Sequence, residues 1–279
     1  MIELKKLGYT PNFNDKIIKS IAKIFSKILS INNYFINEII QNVDLKNHIN
    51  FEGKKIYFKT GHNRLDWRVN SFYSEEPMMI DWLKSLKEND IFLDIGANVG
   101  TYTLPAILKC KFVYASELDV KNNAILFENL VKNDFQNKCL LINFGMSDKN
   151  NIEEIFYREN SVGDALQSVG RKQIIPTKEN LPFQIKQFCF SLDYIFESFK
   201  LEYPTKIKID VDGNEKKVFE GGKKVILNAK EIYYEDNDLD EDKEIIEEIL
   251  KTFTIKKELP VTRGLEGRNI RNILFSKNC

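Results

Sequence analysis

The chain has 279 residues, which is enough for one large α/β domain with an appended element. Lysine plus arginine number 41 and aspartate plus glutamate also number 41, so the formal net charge is zero. This balance excludes a whole-protein attraction to nucleic acid or to an anionic membrane. The first residues lack the apolar core of a secretion signal, and the cysteines form no CxxC pair, so we expect a cytoplasmic protein with reduced thiols.

The N-terminal segment has a helical pattern. Between Asp15 and Ile40, apolar residues recur at steps of three, four and seven positions, with lysines between them, which predicts an amphipathic helix. We therefore divide the chain into an N-terminal helical extension, residues 1–50, and a main domain, residues 51–279. Such a helix packs on its own domain or on a partner subunit, or rests on a membrane surface. The oligomeric state stays open.

The main domain alternates short apolar strands with helices. A strand at Gly53–Thr60 and a helix at Glu76–Lys87 come first, and a stretch from Lys149 to Phe190 is irregular. Five buried-type strands are, in chain order, IFLDIG, KFVYASE, CLLINFG, KIKIDV and EIYYED. TIKKEL and RNILFS follow without a full helix between them, which predicts an antiparallel hairpin. The pattern predicts an α/β fold of the Rossmann type, with a seven-stranded, mostly parallel sheet.

A ligand-binding turn, DIGANVG, is predicted after the first of these strands. Ligands of open α/β sheets bind beyond the carboxyl ends of the strands. The turn resembles the fingerprint GxGxxG, but Asn98 replaces the glycine that lets backbone approach a pyrophosphate. S-adenosylmethionine (SAM) has no pyrophosphate, and its amino group suits the carboxylate of Asp94. We therefore predict SAM binding at Asp94, Gly96, Asn98 and Gly100.

Two further strand ends complete the predicted cofactor site. Glu117 ends the second strand, 21 positions after Gly96, where an acidic side chain accepts hydrogen bonds from ribose hydroxyls. Asn143 follows the third strand, where the adenine edge would lie.

The segments DIFLDIGANVGTYTL, FSLDYI and KIKIDVDGNEKKVFEGG resemble the FkbM-type SAM-dependent methyltransferases, over about Tyr73 to Glu235. The resemblance implies a class I methyltransferase fold and O-methylation of a hydroxyl on a sugar, a glycan or a small-molecule metabolite. It also implies that Asp210, Gly213 and Glu215 belong to the acceptor side. The chain departs from the family pattern at Asp212, where glutamate is common, and at Asn214, where His or Phe is frequent. These departures leave the acceptor open.

A hydroxyl acceptor must lose a proton during methyl transfer, so a base or a metal ion is required. Asp210, at the end of the fourth strand, is the first candidate base, with Glu215 and Glu235 beside it. Asp210, Asp212 and Glu235 are also candidate ligands for a divalent cation such as Mg²⁺, which prefers oxygen. His62, in the loop GHNR, is a less favoured base.

Two other functions stay open. A nicotinamide-dependent Rossmann oxidoreductase would need the glycine that Asn98 replaces and a Tyr/Lys or His catalytic pair, which the sequence does not offer at suitable spacing. A non-catalytic SAM-binding assembly protein would retain the cofactor site without turnover. We expect no nucleic-acid partner, because the charge is balanced and no NPPY-like motif is present.

Overall fold

A computed structural model of the protein describes residues 46–157, 161–165, 167–170, 183–260 and 269–278, with residues 20, 21, 23 and 24. Contacts divide the chain into two units, Met1–Leu45 and Lys46–Cys279. In the first unit, residues 20, 21, 23 and 24 are helical, and the rest of the predicted N-terminal helix lies outside the described residues. Across the described part of the chain, no helix has the length and apolar character needed to span a membrane.

The second unit alternates strands and helices. The strands are β1 (Lys46–Phe51), β2 (Lys54–Lys59), β3 (Ile91–Ile95), β4 (Phe112–Ser116), β5 (Cys139–Ile142), β6 (Gly145–Met146), β7 (Asn151–Tyr157), β8 (Ser168–Val169), β9 (Phe183–Phe190), β10 (Lys206–Ile209), β11 (Glu231–Asp236), β12 (Phe253–Pro260) and β13 (Arg271–Lys277). The helices are α1 (Asn63–Asn70), α2 (Phe72–Glu75), α3 (Pro77–Ser85), α4 (Thr103–Lys109), α5 (Val120–Lys132), α6 (Leu192–Ser198), α7 (Glu215–Gly221), α8 (Lys223–Asn228) and α9 (Asp240–Leu250), with a 3₁₀ turn at Gln136–Lys138.

The main sheet has seven strands in the order β12-β13-β11-β10-β3-β4-β5. The strands from β11 to β5 pair in parallel, whereas β13 runs antiparallel to both of its neighbours. This arrangement confirms the predicted Rossmann-like, seven-stranded, mostly parallel sheet. The C-terminal hairpin is confirmed as well. Of its two strands, β12 lies at an edge of the sheet and β13 lies inside the sheet.

Apolar side chains cover both faces of the sheet, which is why its strands read as continuous hydrophobic runs. All five residues of β3 are buried. Phe92 packs into one core with Trp82, while Leu93 packs into the core on the opposite face. Trp82, on α3, stacks on Tyr233 with ring centroids 5.4 Å apart. This stacking fixes α3 against β11, so the start of α3 lies close to the strand ends of the sheet.

A second, small sheet has the strand order β6-β9-β7-β8. Three of its strands, β7, β8 and β9, lie in the stretch that the sequence indicates as irregular, so that prediction is wrong for the residues of these strands. β7 and β9 pair antiparallel from Asn151 to Tyr157, yet β9 (FQIKQFCF) is mostly exposed. Exposed apolar residues and interspersed Lys and Gln hide the two-residue period that identifies a half-buried strand.

The β1–β2 hairpin braces the long helix α5. The backbone N–H of Lys59 donates to Asn129 Oδ1 at 2.7 Å, and that of Tyr57 donates to Asn133 Oδ1 at 2.8 Å. Asn129 Nδ2 in turn donates to the carbonyl of Val99 at 2.9 Å. The hairpin is thereby linked to the turn DIGANVG, residues 94–100, which is predicted to bind the cofactor and is called the cofactor turn below. β1 crosses the predicted domain boundary between residues 50 and 51, because its pairing with β2 begins at Lys46.

The loop after β3 and the loop after β10 touch at Gly96. Gly96 has a φ of +85°, and a Cβ built on it would lie 1.8 Å from the backbone oxygen of Asp210. The two loops are neighbours because β3 and β10 pair in parallel, with Ile95 beside Ile209. Glycine is therefore required at this position both by the left-handed backbone and by the approach of the second loop.

Gly96→Ala should lower the free energy of unfolding by at least about 3 kcal/mol, because the backbone must shift as well as strain. Gly53→Ala is the matched control: Gly53 has a φ of +81°, but an added Cβ meets nothing within 4 Å. The control should lose only about 1–2 kcal/mol. Urea unfolding of both variants measures the difference, and equal losses would contradict the contact between the two loops.

Candidate active site

The cofactor turn between β3 and α4 is closed against the end of β4. The N–H groups of Gly96 and Ala97 both donate to the carbonyl of Ser116 at 2.9 Å. Asn98 takes a φ of +50°, and its N–H donates to Glu117 Oε2 at 2.8 Å. A Cβ on Gly100 would lie 2.5 Å from side chains of Leu104 and Leu126. Gly96 and Gly100 are therefore required for the packing of the turn, and their contact with the cofactor stays a prediction.

Glu117 lies where the sequence predicts it, at the end of β4, and it is 7% exposed. Its Oε1 accepts from the N–H of Asp119 at 2.7 Å, and its Oε2 from Asn98. Burial raises the pKa of Glu117 to about 7, although both N–H donors favour the ionised form. Each oxygen retains a further lone pair, so the carboxylate can still accept hydrogen bonds from a diol.

A segment of the β7–β8 connection, residues 161–165, lies across the cofactor turn. The carbonyl of Asp164 accepts from Asn98 Nδ2 at 2.8 Å and from Asn122 Nδ2 at 3.0 Å. The carboxylate of Asp164 forms a buried ion pair with Arg64. The side chain of Asn98 is thus engaged with this segment. A direct contact of that side chain with the cofactor stays a prediction.

Carboxylates meet at the ends of β10 and β11. Asp210, Asp212 and Glu235 are half-buried, and each offers one oxygen such that the three lie within 4.8 Å of one another. Their proximity follows from the sheet, since Ile209 pairs with Tyr234 and the next residues are Asp210 and Glu235. Burial and then the charge of Asp210 raise the pKa of Glu235 well above its ordinary value. Two of the three predicted catalytic residues are thereby brought together.

Glu215, the third predicted catalytic residue, lies outside the group formed by Asp210, Asp212 and Glu235. It is 1% exposed, and its Oε1 accepts from the N–H of Val211 at 3.1 Å and from Asn237 Nδ2 at 3.2 Å. Burial, reinforced by the charge of Asp242, raises the pKa of Glu215 to about 8. Glu215 thus anchors the loop after β10, because it enters α7 with its side chain directed into the protein. A catalytic role for Glu215 stays a prediction.

Glu76, just before α3, joins the site although the sequence gives no reason to select it. Tyr102 Oη donates to its Oε1 at 3.0 Å, and Tyr233 Oη and Asn272 Nδ2 each lie 3.3 Å from its Oε2. Burial and then the charge of Asp210 raise the pKa of Glu76 to about 7, against an opposing effect of Lys208. The sequence predicts that a helix starts near Pro77, but it does not predict that this helix packs against β11.

Lys208 is a second residue of the site that the sequence analysis does not predict. It lies in β10 beside Asp94 of β3, and both side chains are 1% exposed. Lys208 Nζ is 2.9 Å from Asp210 Oδ2 and 3.5 Å from Asp94 Oδ1. Burial lowers the pKa of Lys208, but the neighbouring carboxylates, led by Asp210, raise it by more, so the net shift is upward.

Asp94 and Asn143 are the remaining residues that the sequence predicts to bind the cofactor. Asp94 Oδ2 accepts from Thr103 Oγ1 at 2.6 Å, and with Lys208 at its other oxygen the carboxylate is enclosed. Asn143 is exposed after β5, and its carbonyl accepts from Gln187 Nε2 at 3.4 Å. Direct contacts of Asp94 and Asn143 with a cofactor stay predictions. His62 caps α1, where its Nδ1 accepts from the N–H of Arg64 at 3.4 Å.

The charges of the site fit a cationic cofactor. Described carboxylates converge at the ends of β3, β10 and β11, and Lys208, a cation in contact with two of them, is already paired. A pyrophosphate would be repelled here, whereas a sulfonium ion would be attracted. Glu117 offers free lone pairs for a ribose diol. The residues present therefore fit SAM better than a dinucleotide.

The strand order and this site define a Rossmann-like class I methyltransferase fold. The family model described as the methyltransferase FkbM domain matches residues 94–258. The chain belongs to the FkbM methyltransferase family, and membership implies SAM as the cofactor. No curated protein matches the chain.

Solved structures with a similar fold include three methyltransferases. The FkbM methyltransferase of Methylobacillus flagellatus is 16% identical with a TM-score of 0.48, covering 68% of this chain and 44% of that one. A tRNA methyltransferase of M. jannaschii is 13% identical with a TM-score of 0.46, covering 85% and 58%. An rRNA methylase of Streptococcus thermophilus is 11% identical with a TM-score of 0.45, covering 73% and 95%. The chain thus spans less than two thirds of the first two.

Glu215→Gln should flatten the pH dependence of stability. The pKa of Glu215 rises from an ordinary 4.5 to about 8 on folding, so its stabilising contribution is complete below pH 4.5 and lost as the pH rises through 8. Relative to the variant, the wild type should lose about 2–4 kcal/mol between pH 5 and 9. Urea unfolding measures this, with Glu220→Gln, an exposed carboxyl on the same helix, as the control. Parallel curves for wild type and Glu215→Gln would contradict the raised pKa of Glu215.

Glu117→Gln should weaken SAM binding about 10–100-fold at pH 8, because charge-assisted hydrogen bonds are lost. Since the pKa of Glu117 is about 7 and the ionised form is the better acceptor, wild-type affinity should increase from pH 6 to pH 8. The variant should lack that increase. Calorimetry with SAM and with NAD measures both effects, and Glu128→Gln, an exposed position on α5, is the control. Tight NAD binding without SAM binding would support the oxidoreductase alternative instead.

Proposed function

We propose that the protein is a SAM-dependent O-methyltransferase that acts on a hydroxyl of a sugar, a glycan or a small-molecule metabolite. The observation that carries the proposal is the contact between two loops. The cofactor turn touches the Asp210 loop at Gly96, and the half-buried carboxylates of Asp210, Asp212 and Glu235 gather beside it. An acceptor bound against these carboxylates would stand next to the cofactor turn.

Methyl transfer is an in-line displacement. SAM, when bound, supplies an electrophilic methyl group on its sulfonium. The acceptor oxygen would take that methyl group as the carbon–sulfur bond is broken, and the hydroxyl would give up its proton. Asp210, with its side chain 25% exposed, is the carboxylate that we assign to receive the proton. Glu235 and Asp212 lie close enough to bind the acceptor or to share that proton.

A divalent cation such as Mg²⁺ is the second way to handle the proton. The oxygens of Asp210, Asp212 and Glu235 lie within 4.8 Å of one another, a spacing that suits a hard cation. Lys208 already places a positive charge 2.9 Å from Asp210. A metal ion is therefore less necessary to balance the negative charge of these carboxylates. We therefore favour the carboxylate base, and metal removal decides between the two.

The acceptor class and the cytoplasmic location remain parts of the proposal. The carboxylates of Glu76, Asp210 and Glu235, with the hydroxyl of Tyr233, are groups that hydrogen-bond polyhydroxylated ligands. A concentration of negative charge is poorly suited to a nucleic-acid phosphate backbone. Association with a membrane surface through the N-terminal helix, and the oligomeric state, stay open.

Asp210→Asn should lower turnover about 10²–10⁴-fold while leaving SAM affinity within a few-fold, because a neutral amide accepts no proton. Transfer of labelled methyl from SAM to a panel of sugar nucleotides, glycans and small hydroxylated metabolites measures turnover, and calorimetry measures affinity. Asp81→Asn, an exposed carboxyl on α3, is the control.

Treatment of the wild type with EDTA should leave turnover unchanged. Loss of activity that Mg²⁺ or Mn²⁺ restores would replace the carboxylate base with a metal ion. An Asp210→Asn enzyme that is stable and fully active would overturn the role of Asp210. A wild type that binds SAM but methylates nothing in the panel would favour the non-catalytic alternative.

A further inference from the structure

Lys208 is an unusual residue for the interior of a parallel sheet. Its side chain is 1% exposed, and a buried ammonium is tolerated only when it is paired and hydrogen-bonded. Nζ lies 2.9 Å from Asp210 Oδ2, 3.5 Å from Asp94 Oδ1 and 3.4 Å from the carbonyl oxygen of Gly96. The first partner belongs to the acceptor side and the other two belong to the cofactor turn.

The sheet itself fixes this geometry. Lys208 and Asp94 are register partners on neighbouring parallel strands, so their side chains leave the same face of the sheet. Asp210 lies two residues beyond Lys208, directly after β10, on the side to which Lys208 points. An ammonium group at this place can join the two carboxylates without distortion of either strand.

We propose that Lys208 is a positioning residue that holds the Asp210 carboxylate in place and fastens it to the cofactor turn. Lys208 acts through Asp210 and does not touch the acceptor. Asp210 is half-buried after the end of its strand, and Lys208 donates to Oδ2. The kinetic part of this inference rests on the proposed function.

The acidic surroundings make such a residue necessary. The described charged and titratable groups that face Lys208 and Asp210 come from the start of α3, the cofactor turn, the loop after β10, and β11: Glu76, Asp94, Tyr102, Asp212, Tyr233 and Glu235. Without an ammonium among them, Asp210 would be repelled by its neighbours and displaced. A displacement of about 1 Å in a catalytic group lowers turnover about 10²-fold.

The test compares Lys208→Met with Lys206→Met. Lys206 lies on the same strand and the same face, and its Nζ pairs with Glu231 at 2.6 Å, away from the site. Lys208→Met should lower kcat about 10–100-fold and leave KM for SAM and for the acceptor within about threefold. Lys206→Met should leave kcat unchanged. A Lys208→Met enzyme with wild-type kcat would overturn the proposal.

A double-mutant cycle separates positioning from folding. In an Asp210→Asn background, Lys208→Met should change kcat by less than about threefold, because the group that Lys208 positions is already lost. If the two losses multiply, Lys208 acts by another route and the proposal fails. Should Lys208→Met alone be insoluble, the comparison of the double variant with Asp210→Asn still decides, since both lack the uncompensated Asp210 charge.

A third measurement needs no acceptor. Crystal structures of wild type and Lys208→Met report where the side chain of Asp210 points. We expect it to move by about 1 Å or more when Lys208 is lost, and not in Lys206→Met. An unmoved side chain contradicts the positioning role. If no acceptor is ever methylated, the proposed function fails while this readout still tests Lys208.

Discussion

The close approach of two loops at the carboxyl ends of β3 and β10 is the constraint on which the site depends. The α-carbon of Gly96 can carry no side chain because the Asp210 backbone oxygen occupies that space. The same strand pairing sets Lys208 beside Asp94. The cofactor turn and the acceptor-side carboxylates are therefore parts of one backbone unit.

The charges at these strand ends determine which kinds of ligand can bind there. Glu76 and Glu235 retain protons at higher pH than isolated glutamates, since burial and the charge of Asp210 disfavour their ionisation. Lys208 offsets part of the negative charge but is fully engaged in doing so. The remaining negative potential favours a sulfonium-bearing cofactor, and it disfavours phosphate-rich ligands. The charge balance of the whole chain conceals this local asymmetry.

Elements outside the main sheet complete the site. The start of α3 contributes Glu76, residues 161–165 cover the cofactor turn through the Asp164 carbonyl, and the β1–β2 hairpin supports α5 through Asn129. Glu76 and the hairpin precede residue 94, where the match to the family model begins. The family match therefore includes the ends of β3, β4, β10 and β11, whereas Glu76 and the hairpin lie outside it.

The sequence by itself determined the fold class, the chain order of the strands whose ends carry the site, and Asp210, Asp212 and Glu235 as candidate metal ligands, because strand periodicity and strand ends are local features. It placed Glu117 correctly at the end of β4. Only the tertiary structure decided that Glu215 anchors a loop, that Glu76 and Lys208 join the acidic site, and that β9 belongs to a second sheet. Those outcomes depend on which face of an element meets a partner far along the chain. The pairing of β3 with β10, which joins residues more than a hundred positions apart, has no local signal.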